Sequence, residues 1–261
     1  MNILVCLKQV PDTTQVQIDS ETNTLIREGI KNIVNPFDTY ALEEGIRLKE
    51  QYGGKVTAIS MGPPQAEEVL REAISTGADE AVLLSDSAFS GADTLATAYT
   101  LAQAVNKIAE YDLIICGRQT IDGDTAQVGP ELAEMLDIPV VTYVSRVEEI
   151  DSGQMRVQRM VEDGYETIET TLPALITVVK EINTPRLPSL RGLARAKSAA
   201  IPVWNAAGIG ADQNMVGRNG SATWVTRIFF PQTGRQGEIL EGSPEDQTEA
   251  LINRLRDGKL I

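Results

Sequence analysis

The most chemically loaded stretch of the chain is Gly117-Arg118-Gln119-Thr120-Ile121-Asp122-Gly123-Asp124-Thr125-Ala126-Gln127-Val128, with Gly129-Pro130 behind it. Arg118 is a cation able to neutralise a phosphate. Thr125 and the main-chain N–H groups entering a following helix suit the same ligand. Gly117, Gly123 and Gly129 allow close backbone approach and positive φ. A polar loop whose Asp and Thr merely cap the next helix would have the same composition, and that reading stays open. Two shorter segments follow apolar runs, Lys8-Gln9-Val10-Pro11-Asp12 and Met61-Gly62-Pro63. Each is also ordinary turn chemistry. Asn35-Pro36-Phe37-Asp38 matches a helix start, with Asn35 as N-cap, Pro36 in the first position and Asp38 in the acidic first turn.

These segments need elements to bring them together. Ile3–Leu7, Lys55–Met61, Ala81–Leu84, Asp112–Cys116 and Ala174–Lys180 are short apolar runs predicted as strands. Helical segments are predicted after Asn35, near 65–76 and over Asp93–Ala109. Strand and helix alternating at this spacing give an α/β fold with a mostly parallel sheet. In such sheets ligands bind beyond the carboxyl ends of the strands, which is where all three loops lie. Val140–Thr170 breaks the alternation and is predicted as two or three antiparallel strands turning at Asp151-Ser152-Gly153 and Glu162-Asp163-Gly164. A last helix is marked by Ser243 as cap, Pro244, Asp246 and a closing Gly258. The expected division is a nucleotide-binding α/β domain over 1–183 and an extended arm with its terminal helix over 184–261.

Composition removes several function classes. The 261 residues include no histidine, which excludes Ser-His-Asp and Cys-His catalysis and imidazole ligation of zinc or haem. The two cysteines, Cys6 and Cys116, cannot form a four-thiolate cluster, and their apolar surroundings predict buried thiols. No catalytic side chain and no metal site is expected. With 23 Lys+Arg against 37 Asp+Glu the net charge is −14, which argues against nucleic acid or an anionic membrane as partner. There is no GxGxxG and no GxxxxGK[ST]. The opening MNILVCLKQVPD lacks the basic and apolar pattern of a signal peptide, and no apolar run reaches a membrane-spanning length, so a cytoplasmic protein without membrane insertion is expected. One charge anomaly remains. Between Glu181 and Asp212 there is no acidic residue, while Arg186, Arg191, Arg195 and Lys197 interleave with Leu187, Leu190 and Leu193. Such an island suits an acidic partner with a leucine anchor, or is a solvated loop.

With these residues in view, the chain resembles the β subunits of electron transfer flavoproteins. The resemblance is carried by VCLKQVPD at 5–12, NPFD at 35–38, SMGPP at 60–64, CGRQTIDGDTAQVGP at 116–130 and PRLPSLRGLARAK at 185–197, in order over nearly the whole chain. It implies a Rossmann-like sheet with helices on both faces, an antiparallel extension and a long C-terminal arm that contacts an α subunit in a heterodimer. It implies a nucleotide held by Cys6, Asn35 to Asp38, Met61 and the run from Gly117 to Val128. It also implies that the basic island, with Leu190 as anchor and Arg191, Arg195 and Lys197 around it, docks an acyl-CoA dehydrogenase-type partner.

Within the family the chain resembles the electron-bifurcating branch, through LKQVPD at 7–12, GADTLAT at 91–97, GDTAQVGPE at 123–131 and LRGLARAK at 190–197. That branch holds FAD in the β subunit, takes hydride from NADH, and sends one electron to a dehydrogenase and the other to ferredoxin or flavodoxin. The flavin then carries the redox chemistry, and the polypeptide supplies grip and electrostatics. Arg118 is expected near negative charge on the ligand, and Val10-Pro11-Asp12 with Phe37 along an open face of the ring. The alternatives are a non-bifurcating β subunit holding AMP and an adenine-nucleotide sensor resembling universal stress proteins. Ala194 and Ser198 stand where the recognition loop carries basic residues, which bears on the choice of dehydrogenase.

Overall fold

The computed structural model describes residues 1–12, 17–18, 25–26, 31–108, 110–226, 237 and 239–261. Its elements follow the expected alternation. β1 (Asn2–Cys6), β2 (Gln9–Pro11), β3 (Gln17–Ile18), β4 (Leu25–Ile26) and β5 (Asn32–Val34) precede α1 (Pro36–Tyr52). β6 (Lys55–Met61), α2 (Glu67–Thr76), β7 (Glu80–Leu84), α3 (Thr94–Ile108), β8 (Leu113–Gly117) and α4 (Val128–Leu136) come next. The antiparallel part is β9 (Val140–Asp151), β10 (Gln154–Val161) and β11 (Gly164–Thr171), after which β12 (Ala174–Val178) returns to the centre. α5 (Leu190–Ser198), β13 (Val203–Trp204), α6 (Gly217–Gly220) and α7 (Pro244–Asp257) complete the order.

Nine strands form the main sheet in the order β11-β10-β9-β12-β8-β1-β6-β7-β13. From β9 through β13 in that order the neighbours run parallel, and β9, β10 and β11 form the antiparallel meander. Strand periodicity divides the apolar residues between two layers. Ile3 and Val5 join the core under α1 and α2, whereas Leu4 joins the core under α3 and α4. Leu113 and Ile115 against Ile114 and Cys116 repeat the division on β8. These strands are buried on both faces, which explains their unbroken apolar runs.

The chain lays down β1, β6 and β7 toward one edge, then crosses back to place β8 on the other side of β1. The strand order reverses between β1 and β8, and that reversal opens a crevice at their carboxyl ends. Every segment singled out above for ligand chemistry starts at or beside this point.

The compact unit runs through Trp224, past the boundary expected after residue 183. The physical reason is that much of the expected arm packs on the sheet. β13 extends the sheet edge by pairing with β7. Ser189 caps α5 by accepting from Gly192 N–H at 3.0 Å, and Arg195 donates to the carbonyls of Ile74, at 2.8 Å, and Ala78, at the end of α2. A Cβ on Gly192 would collide with the Ser75 carbonyl, so the close seat of α5 needs glycine there. The second unit, Val225–Ile261, carries α7, whose Ser243 and Asp246 form a reciprocal capping box. Among the described residues no helix is long and apolar enough to cross a membrane.

Candidate functional site

The crevice between β1 and β8 is tied together by one buried residue pair. Asn35 is fully buried, and its side chain does not cap α1 as expected. Its Nδ2 donates to Asp38 Oδ1 at 2.9 Å and to the Gln119 carbonyl at 2.8 Å, while its Oδ1 accepts from Ile121 N–H at 3.2 Å. Asn35 therefore fastens the loop after β8 to the start of α1, spending its side chain on tertiary structure. Asp38 in turn accepts from Lys8 N–H at 2.7 Å. Burial pushes the Asp38 carboxyl up to about 7, against the opposing pull of the Asn35 amide, the Lys8 N–H and charge, and the Gly117 N–H. A carboxylic acid that titrates near neutrality thus sits under the rim.

Gly117 makes this closeness possible. A Cβ there would overlap the Asp38 carboxylate and the Phe37 main chain. Gly129 serves the next contact, since its Cβ would lie 2.6 Å from Thr177 Cγ2 on β12. The positive φ values expected of the loop glycines are found elsewhere. Gly117, Gly123 and Gly129 have none, while Asp124 (φ 54°) and Ala126 (φ 56°) take the left-handed conformation. Gln119 Nε2 bonds Asp124 Oδ1, which holds that turn closed, and Asp124 N–H donates to the Thr120 carbonyl at 2.9 Å. Strain held in place by surrounding bonds is typical of ligand-gripping loops.

Lys8 Nζ bridges across the crevice to both Asp122 oxygens at 2.8 Å. Burial works against the Asp122 charge, but hydrogen bonds from Lys8 and Thr120 outweigh it and hold the carboxyl below its ordinary range. Beyond Asp122, Gly123, Asp124, Thr125 and Gln127 are exposed, with Ala126 and Val128 half-buried. They lead into α4, whose N-cap Gln127 gives no side-chain cap. The first-turn N–H groups of a helix uncapped in this way are ready donors to an anion.

Arg118 occupies the middle of the rim. Its guanidinium lies 5.0 Å from the Phe37 ring centroid and 5.4 Å from that of Tyr143. Its Nε is buried without a hydrogen-bond partner. Among the described residues no carboxylate pairs with it. In a chain of net charge −14, an arginine left with aromatic neighbours and an orphaned buried donor is a group prepared for an anionic ligand.

The sequence-derived residues thus converge. Cys6, Asn35 to Asp38 and Gly117 to Val128 surround the β1/β8 reversal, and Met61 ends β6, the neighbouring strand. Cys6 and Cys116 are register partners across β1 and β8. Only Cys116 is buried, and Cys6 is half-exposed, because it ends its strand at the rim. The Cys116 thiol is pushed well above its usual range, first by its hydrogen bond with Cys6 and then by burial. Val10 does not border an open face as expected; it is fully buried, turned inward by the β2–β5 pairing. Tyr143 is the neighbour of Arg118 that sequence reasoning misses. It lies on β9, remote in sequence from every loop above, and nothing in an alternating strand pattern marks it.

The basic island divides in two. Arg186 is taken up by Glu43 (2.8 Å) and Glu50 (2.6 Å), and Arg195 by the carbonyls of Ile74 on α2 and Ala78 just beyond it. Leu187 and Leu190 are left 89% and 88% exposed, with Leu193, Arg191 and Lys197 also at the surface.

The description "Electron transfer flavoprotein domain" matches residues 22–208. The chain belongs to the electron transfer flavoprotein β-subunit family. It is 53% identical over 262 aligned residues, covering all of both chains, to the electron transfer flavoprotein subunit beta of Thermoanaerobacterium thermosaccharolyticum. It is 48% identical, again over the whole of both, to the caffeyl-CoA reductase-Etf complex subunit CarD of Acetobacterium woodii. Protein FixA of Azotobacter vinelandii is 44% identical, over 98% of this chain and 94% of its own. The family match runs past residue 183 to 208, in keeping with the compact unit that includes α5 and β13.

Proposed function

We propose that the β1/β8 rim binds FAD and that this chain is the β subunit of a bifurcating electron transfer flavoprotein, acting in a heterodimer with an α subunit. The observation that carries the ligand assignment is Arg118, unpaired and with its Nε orphaned, beside an uncapped helix start. The residues suit a dinucleotide. The α4 N-terminus and Thr125 would receive its phosphates, Gly117 lets the loop lie close to α1, and Asn35 holds the loop in register. A flavin held there supplies hydride acceptance from NADH and one-electron transfer onward. The polypeptide's part would be to grip the nucleotide and to offer Arg118 to its negative charge, with a protonatable carboxyl, Asp38, buried behind Gly117.

The choice of FAD over AMP is supported by the likeness, over full length, to a subunit named as part of a caffeyl-CoA reductase complex. Onward partners on this reading are an acyl-CoA dehydrogenase-type enzyme and ferredoxin or flavodoxin, in the cytoplasm. The outward residues of α5, Leu190 with Arg191 and Lys197, form the dehydrogenase-facing surface, and Arg195 anchors the helix that presents them. α7, the terminal helix of the arm expected over 184–261, contacts the α subunit on this reading.

The test is nucleotide analysis of the heterodimer purified with its α subunit. Acid release is expected to give two FAD per heterodimer, and NADH is expected to bleach the visible spectrum. One FAD with one AMP would replace the flavin reading by the structural-nucleotide one. A homodimer without an α partner would leave the adenine-nucleotide sensor.

A further inference from the structure

Tyr143 is the one described aromatic residue with a left-handed backbone, at φ 60°. The cause lies in the pairing of β9 with β12. Val141 pairs with Ile176 and Val144 with Val178, so Thr142 and Tyr143 together oppose Thr177. This is a bulge with one extra residue on β9, and at its left-handed position glycine is the residue that fits without strain. Tyr143 N–H is turned onto Thr177 Oγ1 at 3.1 Å. Thr177 is the same residue whose methyl group packs against Gly129 in the first turn of α4. The bulge therefore lies against both the loop and the helix that frame the rim. Bulges near ligand sites commonly re-aim a side chain, and here the side chain reaches Arg118.

We propose that Tyr143 is a positioning residue, its ring and that of Phe37 holding the Arg118 guanidinium, free of any carboxylate, for the anionic part of the bound nucleotide. The inference rests on the reading of the rim as a nucleotide site. Arg118 has a main-chain anchor, its N–H donating to the Val178 carbonyl at 3.0 Å, but no ion pair among the described residues fixes its side chain. Packing on aromatic faces holds the cation in place without neutralising it, as a carboxylate would. Tyrosine at a position that favours glycine is explained if its ring is needed there.

The experiment is a double-mutant cycle on the heterodimer, reading FAD release on dilution by fluorescence. Tyr143→Ala is expected to weaken FAD retention about five- to twentyfold, the range of a partly desolvated cation–π contact. Tyr143→Phe is expected to stay within about twofold, since the ring remains. Tyr143→Gly suits the positive φ and keeps the bulge, so it removes the ring alone and is expected to match Tyr143→Ala. In an Arg118→Ala background neither change should weaken retention further. Equal losses in both backgrounds, or no loss with Tyr143→Gly, would overturn the proposal. The cycle separates this inference from the flavin assignment. If the released nucleotide is AMP, the flavin reading fails, and the same cycle scored on AMP retention still decides Tyr143. If two FAD per heterodimer are present and the cycle is additive, Tyr143 loses its role while the flavin reading stands.

Discussion

At the β1/β8 rim, polar side chains turn inward and hydrogen-bond one another. At α5 Arg195 turns inward as well, but the leucines, with Arg191 and Lys197, turn out. Asn35 spends its amide on Asp38, Gln119 and Ile121. Arg195 and Arg186 spend their guanidinium groups on α2 and α1, and Leu190 is left with nothing over it. The difference separates two ways of preparing for a partner. A small charged ligand needs fixed donors and a group whose charge is not already neutralised, which the rim supplies in Arg118. A protein partner needs an apolar anchor on a firm base, and on the proposed reading α5 offers one, fastened by Arg195 while Arg191 and Lys197 stay at the surface.

The sharpest way to separate the regions is pH. Asp38 binds its proton more tightly in the folded chain, at about 7 against 3.8. Its stabilising effect is fully present below about pH 4, declines as the unfolded chain ionises, and is gone above about pH 7. The shift corresponds to on the order of 4 kcal/mol across that window. Glu44, Glu72 and Glu131, also raised by burial, contribute in the same direction, so Asp38→Asn is expected to shrink the decline and not to abolish it. Urea unfolding at intervals from pH 4 to 8 measures this. Arg191→Ala, on α5, is expected to leave the decline at its full size, and an equal reduction by both substitutions would erase the distinction.

Glycine substitutions come next in size. Gly117→Ala drives a methyl group into Asp38 and Phe37, and Gly192→Ala drives one into Ser75. Overpacking of this kind costs about 1–3 kcal/mol. The two variants should lose similar stability yet differ in consequence. Gly117→Ala is expected to lose bound nucleotide, whereas Gly192→Ala is expected to keep it and transfer electrons poorly to the dehydrogenase. Nucleotide content and partner kinetics, measured on the same preparations, decide it.

Sequence pattern marks the strands and singles out the loop after β8, because burial on both faces and glycine spacing leave direct marks, but the strand order with its β1/β8 reversal comes from the structure. It also placed Asn35-Pro36 at the start of α1. It could not show that the Asn35 side chain leaves the cap for the loop, since an N-cap and a tertiary clamp use the same residue type. It assigned positive φ to glycines, but tertiary bonds impose it on Asp124, Ala126 and Tyr143 instead. The stretch after residue 183 reads as an extended arm because it lacks periodicity. Its attachment depends on β13 and on Arg195, which no local pattern encodes.

The Lys8–Asp122 bridge gives a smaller contrast. Its side chains are 45% and 31% exposed, so solvent screens it and its worth is about 1 kcal/mol or less. Asp122→Asn is expected to change melting temperature little but to make nucleotide retention more sensitive to salt, because Lys8 is freed to face the ligand. On α5, Arg191→Ala should leave the salt dependence of retention unchanged. Retention measured from low to high salt distinguishes them.

Leu190→Ala is expected to have the smallest effect on the fold and the cleanest one on function. At 88% exposure the side chain covers almost nothing, so stability should move by less than about 0.5 kcal/mol. The helix beneath it remains held by Ser189, Gly192 and Arg195, so the rest of the surface keeps its shape. Any fall in the rate of electron transfer to the dehydrogenase must then come from the lost anchor. Nucleotide content should be unchanged, because no bond links Leu190 to the rim. A variant that transfers electrons at the normal rate would remove Leu190 from the docking surface and leave Arg191 and Lys197 to carry recognition by charge alone, which a steep loss of rate with added salt would then reveal.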